Sequence, residues 1–157
     1  MREGPMKLSQ WLCLALTVLL LAACGQAAES TPGPAVIVDT GTLQPGEPPA
    51  EYRDLKNPFP DDPGARRRGT EAYQALCSQC HGKAGAGDGH AGQAMDPAPA
   101  DLSAPGRVKG LSDGYLYWRI AEGGTFPPFN SEMPAWRTLL SEAEIWELVS
   151  YLRTLGP

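Results

Sequence analysis

At 157 residues with a formal net charge of −5, the chain is of one-domain length and too acidic to present the basic stripe that nucleic acid requires. Its 16 prolines and 18 glycines exclude regular packing throughout, so the folded part must be shorter than the chain.

The first element in chain order is a targeting segment. Basic Arg2 and Lys7 precede an apolar run from Trp11 to Leu21, and residues 1–23 have the layout of a secretory signal, opened by Met1 or by Met6. The run is too short to span a membrane comfortably. It ends in Leu21-Ala22-Ala23-Cys24, which resembles the lipobox of bacterial lipoproteins and implies a lipid on Cys24. An ordinary secretory signal and an uncleaved anchor are the alternatives; all three place the remaining chain outside the cytoplasm. Loss of Arg2, Glu3 and Lys7 leaves 11 basic against 17 acidic residues, a net of −6. That surface is drawn to basic partners, chiefly through a salt-dependent association rate.

Residues 24–59 are rich in Pro, Gly, Thr and Glu, as in Ser30-Thr31-Pro32-Gly33-Pro34 and Pro45-Gly46-Glu47-Pro48-Pro49, too polar to bury a core. They read as a lipid-anchored tether, with Val36-Ile37-Val38 its one apolar run. The compact domain is expected over residues 60–157, a length at which a buried prosthetic group adds needed core.

Three helices are predicted in that domain. The first covers about Gly64–Leu76. The second starts at the cap Ser112-Asp113 and stops at Gly123-Gly124. The third opens with the capping box Ser141-Glu142-Ala143-Glu144 and carries Ile145, Leu148, Val149 and Leu152 on one face. Long Gly/Pro/Asp segments without strand alternation join them, so the fold class is all-α, with loops that wrap something.

Cys77-Ser78-Gln79-Cys80-His81 is the C-x-x-C-H haem attachment signature, two thiols for the vinyl groups and a histidine for the iron. Its rivals are a zinc half-site, a redox dithiol and a structural disulfide. Zinc has only Cys77, Cys80, His81 and His90 to draw on once Cys13 and Cys24 are set aside, and a thioredoxin-like dithiol lacks its strand-turn-helix context.

For the sixth position on the iron, the chain after the signal offers Met133, Met95 and His90. Met133 is the strongest candidate. It lies 52 residues beyond His81, far enough for a second loop to reach the opposite face, and Pro134 keeps its segment out of a helix. Met95 and His90 follow His81 by only 14 and 9 residues, which favours the same side as His81.

On these residues the domain resembles a class I c-type cytochrome of the branch related to the third subunit of cbb3 oxidases. The likeness covers about Arg66 to Leu155 and rests on Cys77–His81, Met133-Pro134 and the end Tyr151-Leu152-Arg153. It implies three to five helices with long loops around one covalent haem c. It also implies a crossing of the first and last helices at Gly69 with Tyr73 and Tyr151 as the rings. The family supports its histidine with a proline carbonyl, for which Pro97 and Pro99 are the candidates. The lysine cluster of mitochondrial-type members is absent.

With His81 and Met133 on the iron no position remains for a small-molecule substrate, so the expected activity is outer-sphere one-electron transfer rather than catalysis. Trp118, Phe126, Phe129 and Trp136 are expected to shield the haem from water. The partners are a redox protein donor and acceptor, or a membrane electron-transfer complex, met on the periplasmic side through the lipid at Cys24. The alternatives are a haem enzyme or gas sensor with an open sixth position, and a structural zinc module. Arg66-Arg67-Arg68 are read as a solvated helix start, with a weaker second reading as a docking or propionate-pairing group.

Overall fold

The structure is a computed structural model that describes residues 47–157. The signal, Cys24 and residues 24–46 of the expected tether lie outside the described residues. Regular structure within them is helical: α1 (Ala50–Arg53), α2 (Pro63–Leu76), α3 (Ser78–His81), α4 (Asp113–Glu122) and α5 (Glu142–Leu152), with 3-10 turns at His90–Gly92 and Trp136–Thr138. None of these helices is long and apolar enough to cross a membrane.

Each long helix starts where its cap residues dictate. Asp62 accepts from the Gly64 N–H at 2.7 Å with Pro63 in the first turn, Ser112 accepts from the Tyr115 N–H, and Ser141 with Glu144 closes a reciprocal capping box. All three satisfy N–H groups that the helix itself leaves unpaired. α4 stops at Gly123, whose φ of 70° suits glycine.

α2 and α5 cross in close contact at Gly69. A Cβ there would stand 1.9 Å from the Glu147 carbonyl oxygen, so only glycine lets the backbones meet. One turn on, the Tyr73 and Tyr151 rings pack at 4.8 Å between centroids, and Arg68 closes the crossing on Glu147 at 2.6 Å. α4 adds Leu116, Tyr117, Trp118, Ile120 and Ala121 to the same core.

The packed body starts earlier than residue 60. Tyr52 of α1 and Asn57 are buried. Asn57 donates its backbone N–H to Asp113 (3.1 Å) and its side-chain amide to Ser150 (2.8 Å), while its side-chain oxygen accepts from Phe59 N–H (2.9 Å). Polar composition pointed to a tether up to residue 59. Two anchoring side chains override it, because both ends of the buried Asn57 amide and its backbone N–H find partners.

Candidate functional site

Cys77 ends α2 and caps α3, so Cys77, Cys80 and His81 fall on one helical turn at i, i+3 and i+4 and share a face. The His81 and Cys80 N–H groups both return to the Cys77 carbonyl, at 2.9 and 3.2 Å. All three side chains line one cavity of about 400 Å³. Burial, with Cys80 adding to it, pushes the Cys77 thiol up to about 12. A thiol so hard to ionise is ill suited to disulfide exchange, which counts against the redox dithiol.

The imidazole of His81 is oriented by the Ala100 carbonyl, 3.1 Å from Nδ1. A carbonyl can only accept, so Nδ1 carries the proton and Nε2 is left as the ligating atom. Neither Pro97 nor Pro99 supplies this carbonyl; both instead line the cavity. The acceptor falls one residue past Pro99 because of the turn that follows. Asp101 accepts from the Ser103 N–H, the Ser103 hydroxyl and the Ala104 N–H. Leu102 N–H binds the Gly85 carbonyl at 2.6 Å. Bonding to the Ser103 hydroxyl, foremost, holds the Asp101 carboxyl below its usual range.

Met133 enters the cavity from a loop pinned to the end of α4. Gly124 donates to the Met133 carbonyl (2.8 Å) and accepts from the Ser131 N–H (2.7 Å). A Cβ on Gly123 would stand 2.5 Å from the Met133 carbonyl oxygen, so this approach demands glycine. Met95 lines the cavity as well, whereas His90 does not. Among the described residues no group of three or more His, Cys, Asp or Glu is placed to hold a metal ion. Cys77, Cys80, His81 and His90 therefore do not assemble the zinc site that the sequence permits.

The walls differ from the sequence reading in part. Trp136 and Phe129 line the cavity; Trp118 and Phe126 do not. On α4 the lining residues are Tyr115, Leu116, Arg119 and Ile120, a face that helical geometry turns away from Trp118. Trp118 backs Phe129 at 5.6 Å and Phe126 at 5.8 Å between centroids. The cavity arginines are Arg107 and Arg119 rather than Arg66, Arg67 or Arg68. Arg67 and Arg68 are instead engaged by Glu71 and Glu147. Arg119 was legible only as a cation among apolar neighbours, and Ala100 carried no side-chain signal at all.

An apolar cavity with two thiols and an imidazole on one helical turn, and thioethers on separate loops, fits a covalently held haem in its donor chemistry. Residues 64–152 match the family model for cytochrome c oxidase, cbb3-type, subunit III. Among solved structures, the chain is similar to a chain of the reducing HAO-like protein complex of Kuenenia stuttgartiensis. The two share 27% identity at a TM-score of 0.52, over 68% of this chain and 53% of that one.

Proposed function

The chain belongs to the cytochrome c oxidase cbb3-type subunit III family, and from that premise we propose that it is a one-electron carrier in which His81 and Met133 would hold the haem iron. Cytochrome c domains of this kind hold haem c covalently and perform haem-based electron transfer. The observation that carries the ligand assignment is the gathering of Cys77, Cys80, His81 and Met133 about one cavity. Bound there, haem c supplies a reversible Fe(II)/Fe(III) couple.

The residues divide the remaining work. Cys77 and Cys80 anchor the group, and the Ala100 carbonyl makes the His81 imidazole a stronger donor. The Met133 thioether favours the reduced state and raises the potential relative to a second histidine. Phe129, Trp136, Leu116 and Ile120 keep water out, which limits reorganisation when charge moves. Met95 also lines the cavity and is the second reading for the sixth ligand.

Lipidation of Cys24, with residues 24–46 as a tether on the periplasmic side, makes the domain a swinging shuttle or a subunit of a membrane electron-transfer complex. Likeness to a chain of a reducing HAO-like protein complex supports the subunit form. A short tether raises the local concentration of the domain at fixed partners.

The test is absorption spectroscopy on the full chain with haem attached, beside Met133→Ala and Met95→Ala. A low-spin reduced spectrum and a near-infrared sulfur-to-iron band lost only in Met133→Ala is the expected result. Loss only in Met95→Ala transfers the ligand role to Met95. A high-spin wild-type iron that binds carbon monoxide at once defeats the carrier reading and favours an enzyme or gas sensor.

A further inference from the structure

Arg119 lines the cavity, yet none of the ion pairs among the described residues involves it. The acid nearest to it along α4, Glu122, is occupied by the Tyr52 hydroxyl and by Arg137. Burial draws the guanidinium below the usual arginine value, and what holds it among the described residues is a backbone carbonyl and aromatic rings rather than a side-chain carboxylate.

What Arg119 touches is the loop that carries Met133. Its Nη1 donates to the Gly123 carbonyl at 2.6 Å, at the hinge where the loop leaves α4. Its guanidinium lies 3.6 Å from the centre of the Phe129 ring and 5.6 Å from that of Trp118. Phe129 occupies the far turn of the loop, where the Phe126 carbonyl accepts from the Phe129 and Asn130 N–H groups, both at 3.0 Å. Hydrogen bonds at Gly124 close one end of the loop; Arg119 ties its middle to the same helix end. A planar cation that bonds in its plane and stacks on its face does both at once.

We propose that Arg119 is the positioning residue of the methionine loop, holding Phe129 against the end of α4 so that Met133 stays seated on the cavity and outside ligands are excluded. This rests on Met133 being the sixth ligand. A ligand that competes with Met133 binds in proportion to the population of the open loop, so the strength of the clamp is read directly as the affinity of the competitor.

Imidazole titrated into the oxidised full-length protein is that competitor. Arg119→Leu keeps apolar bulk and removes both contacts, and should bind imidazole roughly tenfold more tightly than wild type. Its near-infrared sulfur band should be weakened while the reduced spectrum stays low-spin. Arg119→Lys reaches Gly123 but cannot lie over Phe129, so its affinity should fall between the two, and it serves if the leucine variant does not fold. Wild-type imidazole affinity in either folded variant overturns the proposal. If the sulfur band instead survives Met133→Ala, it is the ligation reading that falls, and the two failures are thereby distinguished.

Discussion

The backbone carbonyl of Ala100 is the group that sets the electronic character of His81, and Asp101 sets where that carbonyl points. Three hydrogen bonds from Ser103 and Ala104 converge on one oxygen of Asp101, so removing it frees the turn just after Ala100. With His81 as the proposed iron ligand, a weaker bond to Nδ1 would make the imidazole a poorer donor and disfavour Fe(III). Asp101→Ala should therefore raise the midpoint potential by up to about 60 mV, a tenfold shift in a one-electron equilibrium. Asp101→Asn removes the charge but keeps an acceptor oxygen. A potential near that of wild type in the asparagine variant assigns the effect to the turn rather than to lost charge. Spectroelectrochemical titration of both variants decides it. At this scale the sequence carries side-chain chemistry well and backbone chemistry hardly at all. Cys77, Cys80, His81 and Met133 announce themselves because thiol, imidazole and thioether have few other uses in such a pattern. The supporting oxygen was sought at Pro97 and Pro99 because the family resemblance implies a proline carbonyl; a carbonyl has no signature of its own, and the Asx turn beside Ala100 shows only as an aspartate two residues before a serine.

Among elements, the crossing of α2 with α5 and the lock between α4 and α5 govern stability. Gly69→Ala places a methyl group 1.9 Å from backbone of α5, which no side-chain rotation relieves. The expected loss is about 3 kcal/mol or more by chemical denaturation. The lock is Arg153, which reaches Asp113 at 2.5 Å and the Val108 and Leu111 carbonyls at 2.6 and 2.8 Å. Burial alone raises the Asp113 pKa, but the Asn57 N–H and Arg153 outweigh it and the net shift is downward. A carboxyl depressed in the folded state contributes stability that is complete above its unfolded value, about 3.9, and is lost as pH falls through the folded value. The urea midpoint should therefore drop as the pH is lowered from about 5 to about 3, and Asp113→Asn should flatten that limb. An unchanged acid limb in Asp113→Asn removes the lock from the account. The three long helices were legible because each carries a cap and an apolar stripe that act within one turn. α1 was not: four residues cannot show a period, and what holds them is Tyr52, whose hydroxyl bonds Glu122 and whose ring packs on Tyr117, both far along the chain.

For the whole molecule, the proposed lipid tether would let the haem swing only as far as the point where the packed domain begins. Docking of residues 48–59 takes 12 residues from the run that composition assigned to the tether. That is roughly 37 Å of reach in polyproline-like form. Asn57 is the stitch: it bonds Asp113 at the start of α4 and Ser150 in α5, while Tyr52 fills the space above Gly114, where a Cβ would stand 1.8 Å from the Tyr52 carbonyl oxygen. Arg53 and Lys56 are both exposed and stand on either side of the half-buried Leu55, so a protease that cuts after basic residues reads directly whether this segment is docked. A peptide must leave its packed conformation to enter a protease site, and cleavage follows the population of the locally open form. Trypsin under native conditions should leave Arg53 and Lys56 intact in the wild-type protein. Asn57→Ala takes the acceptor from the Phe59 N–H and one donor from the Ser150 oxygen, whose hydroxyl still has the Phe59 and Trp146 carbonyls to donate to, at a cost of about 1 to 3 kcal/mol. Cleavage at the two sites should then accelerate by roughly an order of magnitude while the haem spectrum stays the same. Rapid cutting at Arg53 in the wild type would restore the longer tether, and with it the wider search volume for a partner.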